Sequence, residues 1–403
     1  MKTTLNLIIM KHSFRIIIGM LLLAIPLCLN AQVKPVKKDE PNKPKTEKPE
    51  EKKEKPEKKE SKGGLEMPKI SGFVQGMYQA NLNKDFELSS NTFRMRRVRL
   101  SVSGNLSKTV SYKIQGDFSR SPMLVDAFVK YQPCREFGIQ VGQFKTPFTI
   151  ESPINPVNLE IFDYGESVQK LVGYSDVCGV GALGRDLGVM ATGSFFPVEG
   201  EDGYKYSIVD YSVGVFNGNG ANALDNNNRK DLVGRLEVHP GLKDLTLSGS
   251  YYYGKYSKED NVNCTRNRWA AGAQYNDGKL VLRGEYLNGT TGYFNGTVDD
   301  NGDLIELYQF SKGYYGVFGY NFNLGKDKSQ KLMPVLRYEH FEPGDINNSI
   351  NATYTYYTVG LNYWPLKSVN FKLDYSLIQQ NGPGNPTITR NSHRVVGILS
   401  YKF

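Results

Sequence analysis

The chain has 403 residues, with 50 Lys and Arg against 41 Asp and Glu and a net charge of +9. Four cysteines and four histidines without metal-type spacing give no ground for a disulfide framework, a zinc site or a His-based metal cluster, and no cofactor is expected. The positive excess does not mark a nucleic-acid partner, because much of it sits in a short Lys-rich stretch and not in a folded patch.

Residues 1–31 carry the three parts of a secretory signal: a basic start at Lys11, His12 and Arg15, an apolar core from Ile16 to Leu29, and Leu29-Asn30-Ala31 at the cut. MKHSFR, opening at Met10, is a more typical start than MKTTLN. The apolar run is shorter than the ~20 residues a transmembrane helix needs. Pro26-Leu27 is a poor context for a lipidated Cys28. Export with cleavage is the expectation. Residues 32–66 are mostly Lys, Glu and Pro, with almost nothing to bury. Such a segment cannot offset its own ordering entropy, so a disordered periplasmic linker is expected.

From Met67 to Phe403 an alternation of period two dominates, and one barrel domain is expected over 67–403. Val110 to Ser119 sets Val110, Tyr112, Ile114, Gly116 and Phe118 against Ser111, Lys113, Gln115, Asp117 and Ser119. Leu245 to Tyr253 sets Leu245, Leu247, Gly249, Tyr251 and Tyr253 against Thr246, Ser248, Ser250 and Tyr252. In the last stretch, Val395, Gly397, Leu399, Tyr401 and Phe403 share one face. The polar faces carry full charges, as at Arg235 and Glu237, Arg283 and Glu285, Arg337 and Glu339, and Lys372 and Asp374.

A soluble sandwich and a membrane barrel look alike strand by strand, and the connections separate them. The strands number about sixteen, an even count as in single-chain outer-membrane barrels. Short connections such as Asn105–Thr109, Pro133–Glu136, Pro240–Asp244, Asn276–Lys279 and Pro365–Ser368 alternate with long ones. The long ones are Asn83–Asn91, Lys145–Gly184, Asn217–Asp231, Gly254–Arg266, Asn288–Phe310, Glu342–Ala352 and Gln380–Ser392. Ser119–Met123 is the exception, short on the long side. A sandwich has no reason to gather its long loops at one end. An all-β transmembrane antiparallel β-barrel does, with short periplasmic turns and long outer loops. Aromatics near strand ends, among them Tyr251–Tyr253, Tyr354, Tyr356, Tyr357, Tyr363 and Trp364, fit interfacial girdles. Export and a terminal aromatic strand place such a barrel in the bacterial outer membrane, against its lipid.

The connection from Lys145 to Gly184 is too long to lack a purpose. Asn158 to Val172 within it reads as a short helix. We expect this loop to fold into the lumen and narrow it, since a wide open barrel is unselective.

VGQFKTPF, the loop behind it and GRDLGVMATG resemble the phosphate-selective porin O and P family, as do TFRMRRVRLSVSGNL, YKIQGDF and DAFVKY. The resemblance implies a sixteen-stranded outer-membrane porin, a homotrimer, inward-folded loops and a basic channel. Passive diffusion of small hydrophilic solutes is the implied function, with anions such as phosphate favoured where Arg and Lys line the constriction. Candidate pore-lining or anion-contact residues are Arg97, Arg99, Lys113, Lys130, Arg185, Arg235, Arg283 and Arg337. If Val98, Leu100 and Val102 face lipid, Arg97 and Arg99 face the lumen, and Arg94 and Arg96 point outward. Asp117, Asp126, Glu237, Glu285 and Glu339 sit close on the same strands, and cross-strand pairing is the competing explanation for many of these charges.

Two rival functions compete with a pore. An enzyme would need a nucleophile and a positioned base. His239, His340 and His393 have no Ser and acid in an evident arrangement, so none is expected to be catalytic. A surface adhesin or antigen barrel without channel activity would display the 145–184 loop outside, whereas a pore needs it inside.

Overall fold

The alternation that begins at Met67 closes on itself. In a computed structural model, the structure describes residues 67–403 apart from 84, 86, 200–204, 243, 258–262, 326–328, 345–351 and 383–388. The expected signal segment 1–31 and linker 32–66 lie outside the described residues.

The strands are β1 (Lys69–Leu82), β2 (Leu88–Asn105), β3 (Val110–Asp117), β4 (Leu124–Tyr131), β5 (Gly138–Lys145) and β6 (Arg185–Glu199). Then come β7 (Lys205–Phe216), β8 (Asp231–Val238), β9 (Leu245–Tyr256), β10 (Cys264–Asn276), β11 (Leu280–Tyr293) and β12 (Leu307–Tyr320). The last five are β13 (Phe322–Leu324), β14 (Gln330–Glu342), β15 (Thr353–Leu366), β16 (Val369–Asn381) and β17 (Thr389–Lys402). Both β12 and β13 pair with β14, separated by the single break at Asn321. The wall is therefore a closed antiparallel barrel of sixteen staves. The seam joins β1 to β17, from Phe73 opposite Lys402 to Leu82 opposite His393. Phe403 completes it, exchanging backbone hydrogen bonds with Gly72. Closure leaves no edge with unpaired backbone groups.

Two classes of connection alternate around the barrel. One end carries short turns such as 106–109, 277–279 and 367–368; the other carries 146–184, 217–230, 294–306 and 343–352. Several expected outer loops are shorter than the sequence suggests, because their strands run on into them. The segments between β1 and β2, and between β9 and β10, span only 83–87 and 257–263. Polar strand ends still pair their backbones, whatever their side chains prefer.

Facing follows the pleat. Leu247, Tyr251 and Tyr253 of β9, and Leu399 and Tyr401 of β17, are exposed on the outside. Ser248, Ser250, Val396, Ile398 and Ser400 are buried on the inside. Outward aromatics form contacts across strands, with Tyr338 against Tyr314 and Tyr357. Four aromatics depart from the girdle expectation. Tyr252 is buried in the interior and Trp364 packs against the same cluster; Tyr354 and Tyr356 pair opposite Phe341 and Glu339, both buried on the inner face. They therefore share that inner face, a consequence of a register the sequence does not print.

Arg96 also departs from expectation. Gln75 pairs with Arg97 and Gly76 with Met95, so Arg96 is the extra residue of a β-bulge. The bulge breaks the alternation, and Arg96 and Arg97 are both buried against the interior. Arg94 then falls opposite the buried Met77 and not on the lipid face.

Candidate functional site

The segment 146–184 crosses the barrel interior, as its length suggested. Its helical part is shorter than Asn158 to Val172: a 3-10 turn, Pro156–Asn158, precedes the helix α1, Glu166–Val172. Gly165 caps α1 where only glycine fits, because a Cβ there would lie 1.8 Å from Arg337 Nη2. Gly173 ends α1 in the left-handed region, φ 91°, with its backbone N–H donating to Gln169 O.

Apolar side chains seat the loop against one half of the wall. Phe148, Leu159, Ile161, Val168 and Leu171 pack into a cluster with Phe216, Val233, Tyr252, Leu287, Tyr315, Val335 and Phe341. Phe148, Val168 and Leu171 are fully buried. This half of the interior is a packed core and not a wet lumen, which explains inward apolar residues on strands whose outer face is apolar too.

Polar latches fix the loop's register on that core. Glu151 is the hub. It accepts from Arg337, lies 3.7 Å from Arg283 Nη1, and accepts from the Gly165 backbone N–H at 2.9 Å. Arg283 Nη2 also donates to Glu160 at 2.6 Å. Arg235 Nη1 donates to Thr149 O at 2.8 Å, and Glu285 accepts from the Ile150 N–H at 2.8 Å. Glu339 accepts from both the N–H and the hydroxyl of Ser167. Arg268 grips Asp176 with two bonds of 2.6 Å and donates to Leu171 O at 2.7 Å. Lys372 donates to Leu159 O, and Asn362 donates to Glu160 O at 2.6 Å. At the far side, Asp163 meets Arg96 at 2.7 Å and Arg97 at 3.4 Å. Burial by itself would raise the Asp163 carboxyl, but Arg96 and Arg97 outweigh it and hold it below the usual carboxylate range. Arg268 does the same for Asp176.

What the loop leaves open lies along β2 to β6. A cavity of about 240 Å³ is walled there by Arg99, Lys113, Asp126, Phe128, Lys145 and Arg185, with Gln115, Gln140, Phe144 and Met190. Pro153, Asn155 and Pro156 of the loop close its inner side. Arg99 Nε donates to Asp117 at 3.0 Å, a direct cross-strand pair. Asp126 accepts from Lys113 at 2.9 Å and from Arg185 Nε at 2.6 Å. Lys145 donates to Ile154 O and to the Tyr164 hydroxyl, each at 3.0 Å.

The eight sequence candidates thus separate. Arg99, Lys113 and Arg185 meet at the cavity, and Arg97 stands two residues from Arg99 against Asp163. Lys130 is half-buried two residues beyond Phe128 on β4, outside the cavity lining. Arg235, Arg283 and Arg337 are engaged by the loop instead. Cross-strand charge pairing accounts for Arg99 with Asp117, but not for Arg283, whose carboxylate partners are Glu160 and Glu151 while its Nε donates to the cross-strand amide of Gln274 at 3.0 Å. Phe128, Met190 and the loop prolines carried no charge signal and were not singled out as lining residues.

A family model for phosphate-selective porins O and P matches residues 69–290, more than half of the chain. The chain belongs to the phosphate-selective porin O and P family. Solved porins share its fold. An anion-selective porin from Comamonas acidovorans is 12% identical with a TM-score of 0.57, the match covering 83% of this chain and 99% of that one. The outer-membrane channel DcaP of Acinetobacter baumannii is 14% identical at 0.57, covering 85% and 99%. OmpF of Salmonella typhi, solved with daunomycin, is 14% identical at 0.56, covering 83% and 97%. A comparison with curated proteins gives no match. This porin is a bacterial outer-membrane channel for passive diffusion of small hydrophilic solutes.

Proposed function

We propose that the porin favours anions, and that its filter is the cavity between the loop and β2 to β6. The observation that carries this is the charge around the free passage. Arg99, Lys113, Lys145 and Arg185 face it, and Asp126 is the one carboxylate beside them among the lining residues. Cations in a narrow, low-dielectric passage lower the barrier to anions. The loop's own acids do not cancel this, because Glu151, Glu160, Asp163 and Asp176 are held by arginines away from the cavity. Arg97 and Lys130 extend the positive face above and below it. Arg235, Arg283 and Arg337 serve the passage indirectly, by holding the loop.

Family and fold support a channel over an enzyme, and the three described histidines bond local partners such as Asp210, Thr355 and Tyr375. The apolar outer side chains sit in outer-membrane lipid, and the active form is a homotrimer. A trimer form is recorded for OmpT of Vibrio cholerae, whose fold is shared at a TM-score of 0.53 and 11% identity. Residues 1–31 direct export and 32–66 tether the barrel in the periplasm. The inward loop favours a channel over a surface adhesin, which gains nothing from filling its own interior.

The test is the reversal potential of the purified porin in a planar bilayer under a potassium chloride gradient. An anion-favouring potential is expected, and Arg185→Gln should shift it toward zero. A cation-favouring or neutral potential in the wild type overturns the anion reading and leaves a general diffusion porin. Chemical cross-linking in the membrane reads the trimer.

A further inference from the structure

The cavity is not uniformly polar. Beside Arg99, Lys113, Lys145, Arg185 and the amides of Gln115, Gln140 and Asn155, its lining includes Phe128, Phe144, Met190, Pro153 and Pro156, and Phe128 lies directly across from Lys113 on the neighbouring strand. Phe128 is half-buried and stands edge-on to Phe144 at 6.0 Å, which is edge-on to Phe216 at 5.6 Å. Phe128 is thus the exposed end of an aromatic ladder whose other members are sealed in the core. Gly142 lies opposite Phe128 on β5 at φ 132°, where a Cβ would meet the Ala127 carbonyl at 2.2 Å. The wall beside the ring is held close and flat.

A compact oxyanion is a poor match to this lining. A tetrahedral dianion seeks hydrogen-bond donors on every side, and the five apolar side chains of this lining offer none while still stripping its water. Asp126 adds a further cost, since it already takes up Lys113 and Arg185 and repels a second negative charge. The volume also exceeds what such an ion needs: about 240 Å³ is room for about eight waters at roughly 30 Å³ each. An organic monoanion with one flat ring uses both kinds of lining: its carboxylate meets Lys113, Arg99 or Arg185, and its ring lies against Phe128, which stands directly across from Lys113.

We infer that this porin's constriction recognises single-ring organic carboxylates in preference to inorganic phosphate. The inference rests on the anion reading of the same cavity, and Phe128 is its specificity-determining residue. Arg and Lys supply charge selection; the ring supplies selection among anions.

The experiment adds sodium benzoate, acetate or phosphate to the full-length porin conducting chloride in planar bilayers at neutral pH, and records the half-blocking concentration of each. Benzoate is expected to block at about tenfold lower concentration than acetate or phosphate, the factor that burying part of one ring face provides. Phe128→Ser should remove most of that advantage. Equal block by acetate or phosphate in the wild type overturns the inference, as does an unchanged benzoate advantage in Phe128→Ser. The wild-type series decides by itself if the substitution prevents folding. A channel without anion preference declares itself in potassium chloride alone, before any organic anion is added, and sinks the underlying reading. An anion-preferring channel that treats benzoate like acetate sinks only the aromatic one.

Discussion

The interior of the barrel has two halves built from the same residue types and used in opposite ways. Along β8 to β14, arginines meet carboxylates of the inserted loop and close over an apolar core. Along β2 to β6, Arg99, Lys113 and Arg185 meet carboxylates of the wall itself and face a cavity, while Arg96, Arg97 and Lys145 on the same strands reach the loop. An arginine's role is set by where its partner is rooted. A partner on the loop makes it a latch. A partner on a neighbouring strand makes it part of a fixed charged wall. Counting charges along the chain cannot see this difference, because Arg283 and Arg99 occupy the same pleat position on similar strands.

The comparison can be broken most severely at the hub. Glu151→Ala removes a carboxylate shared by Arg337, Arg283 and the Gly165 N–H, leaving buried cations uncompensated. We expect a loss on the order of 3–5 kcal/mol in urea unfolding. Single-channel conductance should also rise and become noisy as the loop leaves its seat. Normal conductance with normal stability would mean that the apolar core holds the loop unaided.

The outer face provides a reference of different origin. Leu247→Arg places a charge on the lipid side and should impair assembly by about 2–4 kcal/mol near mid-bilayer. Heat-modifiability on gels reads it. Assembly as good as wild type would contradict the outward facing of β9.

On the open side, effects should be on selectivity more than on stability. Arg185→Gln weakens the clamp on Asp126 and removes one of the cations at the cavity, so the reversal potential should move toward zero. Conductance should change by less than about twofold, since Arg185 holds the loop at its exit, through Leu183 O at 2.8 Å, and not at the latches that seat it on the apolar core. If Arg185→Gln opens the channel as widely as Glu151→Ala, the division into latch and wall is wrong.

Lys130→Ala should have the smallest effect, a slight fall in anion preference without loss of fold, because Lys130 lies beyond the cavity lining and is only half-buried. Bi-ionic potentials resolve such a shift. A change as large as that of Arg185→Gln would move the filter toward the periplasmic end.

The candidate site was legible in part, for reasons particular residues make plain. Arg99, Lys113 and Arg185 stand out because charge on an alternating strand must face either water or a partner. Arg283 and Arg337 carry the same signal and a different role, because their partners lie over a hundred positions away in the chain. Phe128 gave no sign, since an inward Phe next to Asp126 reads as ordinary strand composition. Arg96 was misplaced by one residue of bulge, which inverts the facing of everything beyond it until the register is restored.

By itself the sequence determined the barrel, its handed-down alternation of faces and the long connection that had to go somewhere. Those features are local: period two, turn length and loop length are written in neighbouring residues. Only the tertiary structure decided which half of the interior the loop fills, which arginines it consumes, and that an aromatic ring faces the remaining gap. These depend on which strands come opposite one another when the sheet closes. That is fixed by register and by packing between distant residues, and not by any stretch of chain taken alone.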